Sequence, residues 1–158
     1  MTESILNAIG SARIENSSSA LARNLNIQKY YSSRIIFNSS SLVIQPIKVS
    51  KVSFRFFCYR SSNGMQISIA EQNSLKPISS NYQESFPTAH KYNTVELTGE
   101  VLNEVKQRIE NGDTFSIFLH IEEQAVSLIP LLLLLSRNVP RLYILYHRFF
   151  LLTYQLIN

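Results

Sequence analysis

Between Val49 and Arg60 the chain reads VSKVSFRFFCYR, and its side chains alternate with the two-residue period of a β-strand. Val52, Phe54, Phe56 and Cys58 are apolar, whereas Lys51, Ser53, Arg55 and Tyr59 are polar or amphipathic. Successive strand side chains point to opposite faces, so one face of this segment belongs to a core. The other is a basic surface with aromatic character. A strand of that kind suits an antiparallel sheet with one side solvated.

The rest of the chain carries shorter signals of the same type. Met1 to Gly10 reads as a strand or a short helical turn, and Ser17 to Ser19 as a loop between two extended segments. Arg34 to Phe37 and Leu42 to Ile44 are expected to be neighbouring short strands. Asn63-Gly64 supplies the positive φ angles of a tight turn, so Val49 to Arg60 and Met65 to Ala70 are expected to form a hairpin. The polar connection Glu71 to Lys91 holds Pro77 and Pro87, with Tyr82 and Phe86 as expected anchors; connections of this length are often functional. Tyr92 to Thr98 alternates again.

Thr98 is placed to cap a helix over Gly99 to Glu110, in which Val101, Val105 and Ile109 form one apolar stripe and Glu104 pairs with Arg108. Asn111-Gly112-Asp113 ends it. Thr114 to Ile121 then puts Phe115, Ile117, Leu119 and Ile121 on one strand face. Leu142 to Tyr146 is read as a buried strand closing the sheet. The apolar runs within 127–157 fall short of the roughly 18 to 20 residues of a membrane-spanning helix, so a buried strand is preferred to a membrane hairpin. The fold class expected is an all-β antiparallel sandwich with one short helix, as a single domain over 1–158. Its core covers about 12–146, and 147–158 forms an apolar tail.

Only 16% of the residues are charged, and the charges are unevenly spread. Asn16 to Ala70 contains Arg23, Lys29, Arg34, Lys48, Lys51, Arg55 and Arg60 but no carboxylate, while most carboxylates lie between Glu71 and Glu123. Two readings fit this pattern: opposite charges meeting across neighbouring strands, or a basic patch for an anionic partner. A net charge of +4 with an acidic middle section argues against nucleic acid as a partner. The single cysteine, Cys58, sits on the apolar strand face, where it acts as a small hydrophobe. His90, His120 and His147 are scattered, the four glycines are isolated, and no metal-ligand spacing occurs, so neither catalytic residues, metal nor cofactor are expected. Met1 to Ser19 has no basic start and no continuous apolar stretch, so no secretory signal is visible.

Lys51, Arg55, Phe57 and Tyr59 recur at two-residue intervals on the outward face of the long strand. Together they are suited to stack on a planar ligand and pair with an anionic group, and they are the expected ligand-binding residues.

The succession ARIENSSSALARNLNI, SRIIFN, VSKVSFRFFCY and MQISIA resembles the DNRLRE-type β-sandwich domains, with Arg34 to Phe37, spaced R-x-x-F, set against the family's R-x-x-x-F strand. YNTVELTGEVLNEVKQRIENGDTFSIFLHI is similar to its strand, short helix and f-x-F-x-L strand, and SRNVPRLYILY to its closing strand. The family's Trp-rich middle segment has no counterpart, because the chain has no Trp. The resemblance implies a non-catalytic jelly-roll module related to carbohydrate-binding modules, with a glycan as ligand and an extracellular or surface setting. The alternative is a structural or assembly protein whose apolar C-terminal tail makes an intersubunit contact.

Overall fold

The structure is a computed structural model that describes residues 1–15, 18–20, 25–27, 31–60, 64–74, 76–120, 126–128 and 139–149. For 12–15, 18–20, 25–27, 31–32, 59–60 and 126–128 it describes the backbone alone. The strands are β1 (Thr2–Asn7), β2 (Gly10–Glu15), β3 (Ser18–Ala20), β4 (Leu25–Ile27), β5 (Tyr31–Asn38), β6 (Ile47–Arg60), β7 (Met65–Glu71), β8 (Gln83–Ser85), β9 (Lys91–Glu96), β10 (Thr114–His120), β11 (Val126–Leu128) and β12 (Arg141–Arg148). One helix, α1 (Gly99–Glu110), comes directly after β9.

The strands form two antiparallel sheets packed as a sandwich. The first runs β1-β12-β6-β11-β4, with β9 also paired to β6. The second runs β3-β2-β5-β10-β7-β8. At the centre of the first sheet Arg55 faces Arg141 of β12 on one side and Thr94 of β9 on the other. Val52, Phe54, Phe56 and Cys58 all turn inward and are fully buried, as the alternation requires.

The period slips once. Lys51 pairs with Leu145 but Val49 pairs with Tyr146, so Ser50 is an extra residue in β6. Ser50 and Lys51 both face outward while Val49 and Val52 both face inward. Such a bulge lets a strand change step without exposing apolar side chains. Beyond the end of β9, the edge of β6 is satisfied by Leu97 and by the helix. The Leu97 N–H donates to the Val52 carbonyl (2.9 Å), and the Val49 N–H to Glu110 Oε1 (3.1 Å).

The core is filled from both sheets. Phe37 of β5 meets Phe54 of β6 edge to face (centroids 6.4 Å apart) and stacks on Phe115 of β10 (6.1 Å), while Phe54 also touches Phe56 (5.0 Å). Val101, Val105 and Ile109 of α1 join the same cluster, and α1 packs against β6 and β7. Tyr146 is buried too, and its hydroxyl is satisfied by Ser4 Oγ (2.9 Å) and Arg148 Nη2 (3.2 Å).

Several local expectations are corrected. β6 and β7 do not pair as a hairpin, because β6 belongs to the first sheet and β7 to the second. Both strands have a full apolar face, and placing them in opposite sheets points those faces at each other. Asn63 of the expected Asn63-Gly64 turn lies outside the described residues. Leu42 to Ile44 is not a strand but the end of a 3-10 turn, Ser40–Leu42, and the turn after it. Ser18 and Ser19 lie in β3 rather than in a loop.

Thr98 stands at the helix N-cap but makes no side-chain cap bond. Its N–H is held instead by Gln83 Oε1 (2.8 Å). Glu104 and Arg108 do not pair: Arg108 bonds to Glu71 and Asp113, and Glu104 to Ser79 and Asn81. The buried strand expected at Leu142 to Tyr146 is present within β12, which lies between β1 and β6. The leucine run 131–135 and residues 150–158 of the tail lie outside the described residues. Among the described residues no helix is long and apolar enough to cross a membrane.

Two sets of variants check this packing. Phe37→Ala removes the ring that joins the sheets and is expected to lower unfolding free energy by about 3–5 kcal/mol in denaturant titrations. Gly112 and Gly99 both have positive φ (72° and 59°), but a Cβ at Gly112 would lie 2.4 Å from Val43 Cγ2, whereas at Gly99 it would meet nothing within 4 Å. Gly99→Ala is expected to lose about 1–2 kcal/mol from strain alone, and Gly112→Ala measurably more. Equal losses would contradict the close approach of Val43.

Candidate functional site

The structure brings together three of the four residues expected to bind ligand. Lys51, Arg55 and Phe57 lie on the outer face of β6, and register places Glu96, Thr94 and Tyr92 of β9 beside that row. Lys51 Nζ lies 3.7 Å from Glu96 Oε2. The Arg55 guanidinium sits 4.6 Å over the Tyr92 ring centroid, and Phe57 meets the same ring edge on at 5.2 Å. The side chain of Tyr59 lies outside the described residues. A depression of 140 Å³ beside Lys51 is lined also by Glu3, Ser53, Tyr143 and Leu145.

These side chains are already engaged with their cross-strand neighbours. Across β6 and β9 the basic and acidic segments of the sequence meet in the Lys51–Glu96 pair. An exposed ion pair of this kind contributes about 0–1 kcal/mol. A cation over a tyrosine at a partly exposed site adds about 0.5–1 kcal/mol.

The opposite side of the sandwich holds a larger feature. On β10, Phe115, Ile117 and Leu119 face the core, yet Ser116 and Phe118 on the outer face are also buried. The cause is the segment after β7, which folds back over its own sheet. Ser116 Oγ donates to the Gln72 carbonyl (3.4 Å), Arg34 Nη1 to the Ser74 carbonyl (2.8 Å), and the Ile78 N–H to the Ile69 carbonyl (2.8 Å). β8 pairs with β7 only as far as Ile67, so Ile78 completes the edge beyond it.

The returning limb is tied to the helix. Ser79 Oγ and Asn81 Nδ2 both donate to Glu104 Oε1, at 2.7 and 3.3 Å. Between this limb and the sheet lies a cleft of 410 Å³. Its floor is Gln66 and Ser68 of β7 with Phe118 and His120 of β10, and its wall is Pro77 and Ser79 to Tyr82. The described lining carries hydroxyl, amide and imidazole groups beside two aromatic rings, and no carboxylate, lysine or arginine. Such a surface hydrogen-bonds a neutral polar ligand and offers ring faces to its apolar side.

Tyr82 and Phe86, expected to anchor the long connection, are 55% and 74% exposed. The connection is held by Ile78, Ser79, Asn81 and Gln83 instead, Gln83 Nε2 donating to the Glu96 carbonyl (2.7 Å). Tyr82 is thereby left at the rim of the cleft.

The histidines stay apart: His120 lines the cleft, His90 ends the connection before β9, and His147 is exposed in β12. Among the described residues no three of His, Cys, Asp or Glu converge on a point that would hold a metal. Cys58 is fully buried, and burial pushes its thiol pKa up, away from the thiolate a nucleophile requires. No protein-family model matches the chain, and no curated protein matches it.

The engagement of the β6 face is open to a direct check. Double-mutant cycles on Lys51/Glu96 and Arg55/Tyr92, read by urea unfolding, are expected to give couplings of about 1 kcal/mol or less for each pair. A coupling several times larger in either pair would mean that it is structural rather than a surface contact.

Proposed function

We propose that the chain is a jelly-roll module that binds carbohydrate without transforming it, and that the sugar lies in the cleft over β7 and β10. The jelly-roll reading is supported by strand order. β1-β12-β6-β9 and β5-β10-β7-β8 are each four consecutive neighbours. In chain order these eight strands alternate between the sheets except at β7 and β8, which share one, and that is the order of a jelly roll. β2 to β4, α1 and β11 are then additions to the connections. The resemblance to DNRLRE-type domains is consistent with the helix between β9 and β10 and with β12 as the last described strand.

The observation that carries the carbohydrate reading is the composition of the cleft. Sugars present hydroxyls around a ring with apolar C–H faces, and Gln66, Ser68, Ser79, Ser80, Asn81 and Tyr82 supply both kinds of partner in one place. The absence of charge among the described lining residues favours a neutral ligand surface over an ionic one. Assembly is a second reading, favoured by Phe149. This residue is 51% exposed at the end of β12 and continues into an apolar sequence.

Glycan arrays followed by calorimetry test the site. Tyr82→Ala and Ser80→Ala are expected to weaken binding by about tenfold through loss of stacking and hydrogen bonding, with little change in Tm because both residues are exposed and neither ties the limb to the helix. Lys51→Ala and Arg55→Ala are expected to bind as the unaltered protein does. The reverse pattern would move the site to the outer face of β6, and no binding by any glycan would leave assembly as the better reading.

A further inference from the structure

The first sheet ends at β1, and among the described residues nothing closes that edge. The Ala8 N–H donates to the Pro140 carbonyl (2.9 Å), in step with the unbroken register that sets Thr2 to Asn7 against Tyr146 to Arg141. Hydrogen bonding alternates along an antiparallel ladder, so the even-numbered residues of β1 turn their backbone groups to β12. Glu3, Ile5 and Asn7 turn theirs to the open edge, where no described strand takes them up. The other outer strands offer less. β3, β4 and β8 have three residues each, and on β9 the Glu96 carbonyl is taken by Gln83. β1 has six residues, with no lysine, proline or bulge to discourage pairing.

A second copy of β1 matches this edge. Antiparallel pairing about a two-fold axis at Ile5 sets Ile5 against Ile5 of the second copy, and Glu3 against Asn7. These are the residues whose backbone groups face the edge, so each opposed pair exchanges two N–H···O bonds while both core faces stay turned inward. The neighbouring two-fold register, centred on Ser4, would set the Glu3 carboxylate against Ile5. The register at Ile5 instead covers a side chain that is 53% exposed, and extends the outer row that Ile5 already makes with Tyr143 and Ser53.

Charge agrees with the same register. Asn7 lies opposite Arg141 and accepts from its Nε (3.0 Å). Glu3 of one copy therefore stands two strand spacings, about 10 Å, from Arg141 of the second copy, within the joint reach of the two side chains. Among the described residues neither Glu3 nor Arg141 forms an ion pair within its own chain. The two-fold axis makes this complementarity twice.

We propose that the chain forms a two-fold dimer through β1, which joins the first sheets of two copies into one continuous sheet. One strand edge buries less than the roughly 1,600 Å² of a standard interface, so the dimer is expected to form at micromolar concentrations. The edge is separate from the cleft and from Phe149, and the proposal does not depend on what the cleft binds.

Sedimentation velocity of the full chain between about 1 and 500 μM is expected to show monomer passing into dimer. Ile5→Lys sets two like charges against each other on the axis, and is expected to weaken the dimer at least about tenfold. Glu3→Arg is expected to weaken it severalfold, and Glu3→Arg combined with Arg141→Glu to restore it. Amide hydrogen exchange reads the contact on the unaltered chain, so it does not depend on any variant folding. The Ile5 amide is expected to exchange rapidly in dilute protein and to become protected as concentration rises, with Ser4 and Leu6 protected throughout. A monomer over the whole range would overturn the proposal. So would a dimer that leaves the Ile5 amide in fast exchange, and sensitivity of that dimer to Phe149→Asp would move the contact to the end of β12.

Discussion

The contact between Phe37 and Phe54 is the interaction on which the remaining geometry depends. One ring comes from each sheet, they meet edge to face, and Phe115 stacks on the far side of Phe37. Edge-to-face and stacked rings fix both separation and rotation, which aliphatic contacts alone do less sharply. With the two sheets set by these rings, β6 and β7 must cross from one sheet to the other instead of pairing. The helix obeys the same constraint: α1 lies where β9 stops short of the start of β6, and its stripe of Val101, Val105 and Ile109 completes the core there.

The cleft is a consequence of how the second sheet is finished. β8 covers only the first half of the β7 edge, so the chain uses Ile78 to satisfy the rest. That bond pulls the connection back across the outer face and buries Phe118, which would otherwise lie on a solvated surface. Glu104 then fixes the returning limb by accepting from both Ser79 and Asn81. A helix residue and a strand edge, neither of them in the lining, thus hold the wall at a set distance from the floor.

Much of the fold was legible in the sequence because it rests on period. The buried face of β6, the inward residues of β10 and the bounds of α1 all come from spacings of two or of three to four residues. The parts that were not legible depend on partners far along the chain. Period makes β6 and β7 strands but does not say that they face each other across a core. The bulge at Ser50 has no local signature, although Val49 being apolar out of step with Val52 was a hint of it. Glu104 and Arg108 have the spacing of a helix pair, but stronger partners at Ser79, Asn81, Glu71 and Asp113 claim them.

The same distinction separates the two candidate surfaces. Lys51, Arg55, Phe57 and Tyr59 were visible because they share one strand, and neighbours on β9 that the local pattern did not include engage the first three of those side chains. The cleft combines Gln66 and Ser68 with Ser79 to Tyr82, Phe118 and His120, residues that only the folded sheet brings together. The most direct measurement of which surface binds is the set of backbone amide shifts recorded while a bound glycan is titrated into labelled protein. Perturbations confined to residues 66–68, 79–82 and 118–120 are the result expected here. Perturbations centred on 51–57 and 92–96, with the cleft unchanged, would contradict it.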